Sequence, residues 1–157
     1  MLDMLAFERL NKNHDKKSFD CNHPDINAYL KAIANQHIKK NIAQIHVLID
    51  KNKPSTIIGF YTLSAIDVEL SLKGYPNKIP AMLIGRIGVD KSYQGQGFSK
   101  ILLSHALNKI KTLSFDAGIA FAIIDAKDDN LATYYERLGF IRTNTPLRFA
   151  METKLIP

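Results

Sequence analysis

The run Arg86-Ile87-Gly88-Val89-Asp90-Lys91-Ser92-Tyr93-Gln94-Gly95-Gln96-Gly97-Phe98-Ser99 leaves this chain few ways to fold. The apolar stretch Ala81 to Val89 reads as a strand that breaks into a tight, glycine-containing turn. Directly after it, Phe98, Ile101, Leu102, Ala106, Ile110 and Leu113 recur at three- and four-residue spacing, the pattern of an amphipathic helix. Gly95 and Gly97 allow the turn to point its N–H groups outward with no side chain in the way. Those donors sit at the positive end of the helix dipole, which suits a phosphate. The alternative is a plain strand–turn–helix with no ligand.

The run is neither of two common phosphate motifs. Phe98 follows Gly97 where a P-loop has lysine and then serine or threonine, and Lys100 stands where a dinucleotide fingerprint has its third glycine. It resembles the pyrophosphate loop of the GNAT N-acetyltransferases, Gln/Arg-x-x-Gly-x-Gly/Ala, with Gln94, Gly97 and Ser99 on the pattern. Ser99 departs from it by carrying a hydroxyl. The resemblance implies that Gln94, Gly95, Gln96, Gly97, Phe98 and Ser99 receive the phosphates of acetyl-CoA.

A second segment, Asn130-Leu131-Ala132-Thr133-Tyr134-Tyr135-Glu136-Arg137-Leu138-Gly139-Phe140, reads as a short helix stopped by Gly139 at C′. It is similar to the superfamily's Ala-x-x-Phe-Tyr-x-x-x-Gly-Phe segment, with Tyr134 in place of phenylalanine and Tyr135 on the tyrosine. Ahead of it, Gly118 to Ala126 is an apolar run of strand length. The implied fold is α/β, in the mixed α+β sense. The GNAT fold has a central, mostly antiparallel sheet with a splayed strand pair, flanked by helices, and here it would be one domain over residues 1–157.

Bulk properties agree with a single small enzyme. The 157 residues are 46% hydrophobic and 23% charged, ordinary for a globular domain with a real core. No run of ~18 apolar residues suggests a membrane span. Met1 to Asn13 lacks the charged cap and apolar block of a signal peptide. Cys21 is the only cysteine, which fits a reducing cytoplasm, and no ligand cluster suggests a metal. The net charge of +6 favours a polyanionic partner such as RNA, or only the phosphates of the coenzyme.

Further elements follow along the chain. Asn22-His23-Pro24-Asp25 starts a helix whose apolar stripe is Ile26, Tyr29, Leu30, Ile33, Ala34 and His37. Ile42 to Ile49 and Thr56 to Leu70 read as strands, Ser71 to Pro80 as a loop, and Arg148 to Leu155 as a last strand.

Phe19-Asp20-Cys21, Ile26-Asn27-Ala28-Tyr29-Leu30, Phe60-Tyr61-Thr62-Leu63-Ser64 and Arg86-Ile87-Gly88-Val89-Asp90 occur in that order. With the loop and the tyrosine segment they are similar to the GNAT toxins of type II toxin–antitoxin systems. That resemblance implies acetylation of the amino group of aminoacyl-tRNA, a block of translation, and a ribbon-helix-helix antitoxin as partner. A homodimer is left open. An acetyltransferase of a small-molecule amine or protein N-terminus, and a non-catalytic acyl-CoA-binding module, are the competing readings.

Acyl transfer from a thioester needs the carbonyl held, the amine deprotonated and the leaving sulfur protonated. By resemblance, the backbone of Ile87, Gly88 and Val89 pairs with the pantetheine arm. Gly88 in an apolar strand otherwise reads as a plain bulge. Tyr135 is the candidate acid, against a role as a core aromatic; Tyr134 is expected in the core or along the wall. Asn130 either orients cofactor amides or caps its helix.

No carboxylate stands in Met82 to Val89 to act as base, which favours an α-amine, neutral near ~7.7–8.0, over a lysine near ~10.4. His46 and His105 read as structure before they read as bases. Arg86 either forms an internal ion pair or contacts substrate. Lys91 and Lys100 flank the loop, and Lys39 and Lys40 make a candidate patch for RNA.

Overall fold

The computed structural model describes residues 2–157; Met1 lies outside the described residues. The order of the seven strands in the sheet is β1-β2-β3-β4-β5-β7-β6. β1 is Leu5–Arg9, β2 Gln44–Asp50, β3 Gly59–Val68, β4 Ile79–Val89, β5 Phe121–Asp125, β6 Ile141–Arg142 and β7 Arg148–Glu152. Helical segments are α1 Pro24–Ala28, a π-helical turn Tyr29–Ile33, α2 Ala34–Lys39, α3 Phe98–Ser114 and α4 Asp129–Arg137. The expected mixed α/β sheet with flanking helices is present.

Two compact units divide the chain. The first holds the described residues up to 63 together with 86–105. In it β1 and β2 pair antiparallel, Phe7 opposite Leu48, and β2 pairs antiparallel with β3, Val47 opposite Phe60. Val47, Ile49 and Phe60 bury one core with Leu10, Phe19, Tyr29, Leu30 and Ala34. The second unit holds residues 64–85 and 106–157. There β4 runs parallel to β5, Ala81 opposite Phe121 through Ile84 opposite Ile124, and β5 pairs antiparallel with β7. Its core gathers Val68, Ile79, Ala81, Phe121, Ile123 and Ala150.

Several sequence expectations need correcting. β1 falls in a stretch that reads as mixed, because this edge strand has no alternation to read: Leu5, Ala6 and Phe7 are half-buried and Glu8 and Arg9 exposed. Ile33 and Leu113, assigned to apolar stripes, are exposed. The π-turn rotates Ile33 off the stripe, and Leu113 sits in the last turn of α3, while Leu103 takes a buried place instead. β4 begins at Ile79, inside the stretch read as loop, and the final strand stops at Glu152 before a 3-10 turn, Thr153–Leu155.

Gly59, at the start of β3, marks a close approach. A Cβ there would lie 2.8 Å from the Gly88 carbonyl oxygen and 2.8 Å from Leu102 Cδ1. The carbonyl belongs to strand backbone and cannot swing away as a side chain could. Gly59→Ala is therefore expected to lower stability by about 1–3 kcal/mol, the usual cost of overpacking, read as a fall in melting temperature. An unchanged melting temperature would show that the backbone yields without cost.

Candidate functional site

In the first unit, the turn after β4 is built by hydrogen bonds from a distant segment. Asp90 N–H donates to the Ile58 carbonyl at 2.8 Å, and Lys91 N–H to the Asp20 carbonyl at 2.7 Å. The Asp90 carboxylate accepts from Asp20 N–H and from Ser92 N–H, both at 3.0 Å. The Asp20 carboxylate accepts from Asn22 N–H and from Asn27 Nδ2, both at 2.9 Å, and meets Lys91 Nζ at 3.4 Å. Those hydrogen bonds, from Asn22 first and then Asn27, with Lys91 adding to them, lower the Asp20 pKa below the ordinary carboxylate value. Lys91 thus meets Asp20 in an exposed ion pair, and Lys100 is exposed at the start of α3.

Gln94 has a role that its place in the motif does not reveal. Its Nε2 donates to the Val89 carbonyl at 2.9 Å and to the Cys21 carbonyl at 3.1 Å, tying loop to strand. The side chain is a brace, so any anion contact falls to backbone. Gly95 and Gly97 have φ of +80° and +85°, and a Cβ on either would meet nothing within 4 Å. Gln94, Gly95, Gln96, Gly97 and Ser99 are exposed. Phe98 is 4% exposed, its ring edge-on to Tyr93, so it anchors the first turn of α3 and offers only its N–H. Ile101 N–H bonds the Gly97 carbonyl; the N–H groups of Phe98, Ser99 and Lys100 precede that bond, where a helix has no internal acceptors. Two left-handed glycines with open space around them, followed by the first N–H groups of a helix, fit a pyrophosphate.

Ile87 is half-buried and Val89 buried at the end of β4. Gly88 answers to the protein's own packing: a Cβ there would come within 3.1 Å of Ile26 Cγ2 and 3.4 Å of Cys21 Sγ and Phe19 Cζ. A bulge is not needed to explain it. Arg86 is exposed, and its guanidinium carbon lies 3.7 Å from the centroid of the Tyr29 ring. Among the described residues no carboxylate pairs with it, so the internal ion pair is ruled out. Lys39 and Lys40 are exposed at the end of α2.

His46 and His105 belong to a ring cluster in this unit. His105 Nδ1 meets the Tyr61 hydroxyl at 2.7 Å and its ring stacks on Phe7 at 3.6 Å; His46 stacks on Tyr61 at 4.9 Å. Burial pushes the Tyr61 phenol well up.

In the second unit, α4 is capped by Asp128, whose carboxylate accepts from Leu131 N–H at 2.8 Å. Asn130 is therefore not the cap; it is exposed in the first turn. Gly139 follows the helix as expected. Tyr135 is 5% exposed, packed against Phe140 and Phe149 with ring centroids 5.7 Å and 6.2 Å away; Tyr134 is half-buried beside it. Among the described residues its hydroxyl has no hydrogen-bond partner, yet no solvent-shielded side-chain oxygen lacks one. The ring is in the core and the oxygen is open to water. Burial, then Tyr134, Asp125 and Asp128, push this phenol up to about 12.

Among the described residues no three His, Cys, Asp or Glu side chains could hold a metal, and no helix is long and apolar enough to cross a membrane. Asp20, Asn27 and Asp90 stand in runs that the sequence singles out, but nothing in the sequence assigns them, or Asn22, the role of braces.

The profile of the acetyltransferase (GNAT) family matches residues 9–140. A tRNA-acetylating toxin of Mycobacterium tuberculosis is 25% identical over 158 residues, covering 95% of this chain and 92% of its own. A solved structure of a tyrosine-to-phenylalanine mutant of the AtaT toxin, bound to the C-terminus of the antitoxin AtaR and acetyl-CoA, superimposes with a TM-score of 0.84 at 27% identity, covering 98% of this chain and 96% of that one. AtaT complexed with acetyl-methionyl-tRNAfMet gives 0.86 at 27% identity, covering 96% and 95%.

Proposed function

The chain belongs to the acetyltransferase (GNAT) family, and from that premise we propose that it acetylates the α-amino group of aminoacyl-tRNA and so stops translation. The observation that carries this reading is likeness over nearly the whole chain, in sequence to a tRNA-acetylating toxin and in fold to a toxin complexed with acetyl-methionyl-tRNA. The reading takes the chain as a single GNAT domain, acting in the cytoplasm. It extends to a ribbon-helix-helix antitoxin as partner, on the likeness to a toxin bound to an antitoxin's C-terminus, and leaves a homodimer open.

Acetyl-CoA supplies the thioester. Backbone N–H groups of Gly95 to Ser99 hold its pyrophosphate, helped by the dipole of α3. Backbone of Ile87 to Val89 binds the pantetheine arm, and Asn130 orients its amides. Tyr135 donates to the sulfur as it leaves. The α-amine needs little help to lose its proton, since its pKa is near ~7.7–8.0, and Met82 to Val89 offers no carboxylate for a more basic amine. Lys39 and Lys40 supply positive potential toward RNA.

The test is direct. Labelled acetyl-CoA is given to the enzyme with total aminoacyl-tRNA, deacylated tRNA and free amino acids in parallel. Label should appear only with charged tRNA and leave as N-acetyl amino acid on mild base hydrolysis. Expression of the protein alone should arrest growth. Equal labelling of free amino acids, or none with charged tRNA, leaves a small-molecule acetyltransferase; binding of acetyl-CoA with no turnover on any amine leaves a binding module.

A further inference from the structure

The helical segment of the first unit leaves α-geometry at one place. Tyr29–Ile33 is a π-helical turn in which Ala34 N–H reaches back to the Tyr29 carbonyl. Such turns are rare and appear frequently at functional sites. This one begins at Tyr29. The Tyr29 ring is 1% exposed, its hydroxyl meets His37 Nδ1 at 2.9 Å, and the His37 ring stands edge-on to it at 5.3 Å. Over the ring lies the Arg86 guanidinium, 3.7 Å from the centroid. The Arg86 backbone is pinned as well, its N–H donating to Thr62 Oγ1 at 3.0 Å.

A guanidinium lying on an aromatic ring uses its flat face there and keeps its in-plane N–H donors. Arg86 is exposed and has no carboxylate partner among the described residues. Its donors form a fixed fork suited to two oxygens of one phosphate. On the same helical segment Lys31, Lys39 and Lys40 are exposed, against one acid, Asp25. The long basic side chains add positive potential, and the stacked arginine adds geometry.

We infer that Arg86, seated on Tyr29 with Tyr29 fixed by His37, is the contact for a backbone phosphate of the acceptor RNA. The identity of that ligand rests on the aminoacyl-tRNA reading above. Tyr29 and His37 are positioning residues: they touch no ligand and act through Arg86. The phosphates of coenzyme A share the same chemistry, so the experiment separates the two sources.

Binding of uncharged tRNA is measured over a salt series, beside the acetyl-CoA-induced rise in melting temperature. Arg86→Gln should weaken tRNA binding about tenfold and reduce the log–log salt slope by ~0.7–0.9, one phosphate's worth. Arg86→Lys should keep the slope and still bind several-fold more weakly, since an ammonium neither forks nor stacks in the same way. Tyr29→Phe keeps the ring and removes the bond to His37; it should cost roughly threefold. Combined with Arg86→Gln it should cost nothing further, because it acts through the arginine. Additive losses would make Tyr29 a fold residue and overturn its role. An unchanged slope in Arg86→Gln, or a lost acetyl-CoA shift with tRNA binding intact, would overturn the phosphate contact. Because uncharged tRNA needs no acetyl transfer, an Arg86-dependent slope in a protein that acetylates no charged tRNA keeps this contact and removes the toxin reading. No tRNA binding at all removes both.

Discussion

Tyr135→Phe should keep acetyl-CoA binding and lose turnover by roughly 10²–10⁴-fold, the usual worth of a general acid or a directed donor. The substitution removes one oxygen and leaves the ring, whose contacts with Phe140 and Phe149 hold it in place. Folding is thus separated from chemistry. The hydroxyl has no protein partner to lose among the described residues, so its removal strands no buried group. Burial raises the phenol to about 12, with Tyr134, Asp125 and Asp128 adding to it. That shift favours the neutral form, so the donor is fully protonated at neutral pH and ionises only as pH approaches about 12. A simple alkyl thiol such as cysteine titrates near ~8.5, so full proton transfer from so weak an acid is uphill. On the proposed reading, Tyr135 would act mainly by donating a hydrogen bond to the negative charge growing on sulfur. A pH–rate profile should show no loss of activity from this group below pH ~10. Turnover within about threefold of the parent, with acetyl-CoA still bound, would move the donor elsewhere.

The parts of this molecule legible in the sequence are those where one periodicity acts alone. The stripe of α3 is readable because Phe98, Leu102, Ala106 and Ile110 are buried in step with the helix. It fails at Leu113, where the last turn leaves the core. The glycine loop is readable because residues with left-handed φ are few and Gly95 and Gly97 both adopt it. What holds that loop is not readable. Asp20 bonds Asp90 across 70 residues, Asn27 in turn holds Asp20, and no local pattern ties Gln94 to the Cys21 carbonyl. Asn130 and Asp128 are both good caps, and only the geometry of Leu131 N–H chooses Asp128. Arg86 is the clearest case of a choice the residues leave open. An arginine in an apolar strand asks for a partner, and the partner is the ring of Tyr29, at the head of a π-turn that no period-3.6 pattern announces.

Gly97→Glu should abolish the stabilisation that acetyl-CoA gives the parent protein. A ligand that binds only the native state raises stability by ~2.7 kcal/mol at one hundred times its dissociation constant, which appears as a higher melting temperature. Gly97 sits at φ +85°, where a side chain costs about 1–2 kcal/mol in backbone strain. A Cβ there meets no atom within 4 Å, so the side chain starts in open space. The new carboxylate also lies at the N-terminus of α3, where the helix dipole favours a negative charge and offsets part of the strain. The variant should fold, slightly less stable than the parent. Its carboxylate then occupies the positive end of the helix that the pyrophosphate needs, and two anions cannot share it. Gly97→Ala carries the same backbone strain without the charge, and it should retain part of the acetyl-CoA shift. The contrast between the two assigns the loss to electrostatics and not to a deformed loop. An undiminished shift in folded Gly97→Glu would place the coenzyme phosphates away from this turn, and with them the whole reading of Gln94 to Ser99.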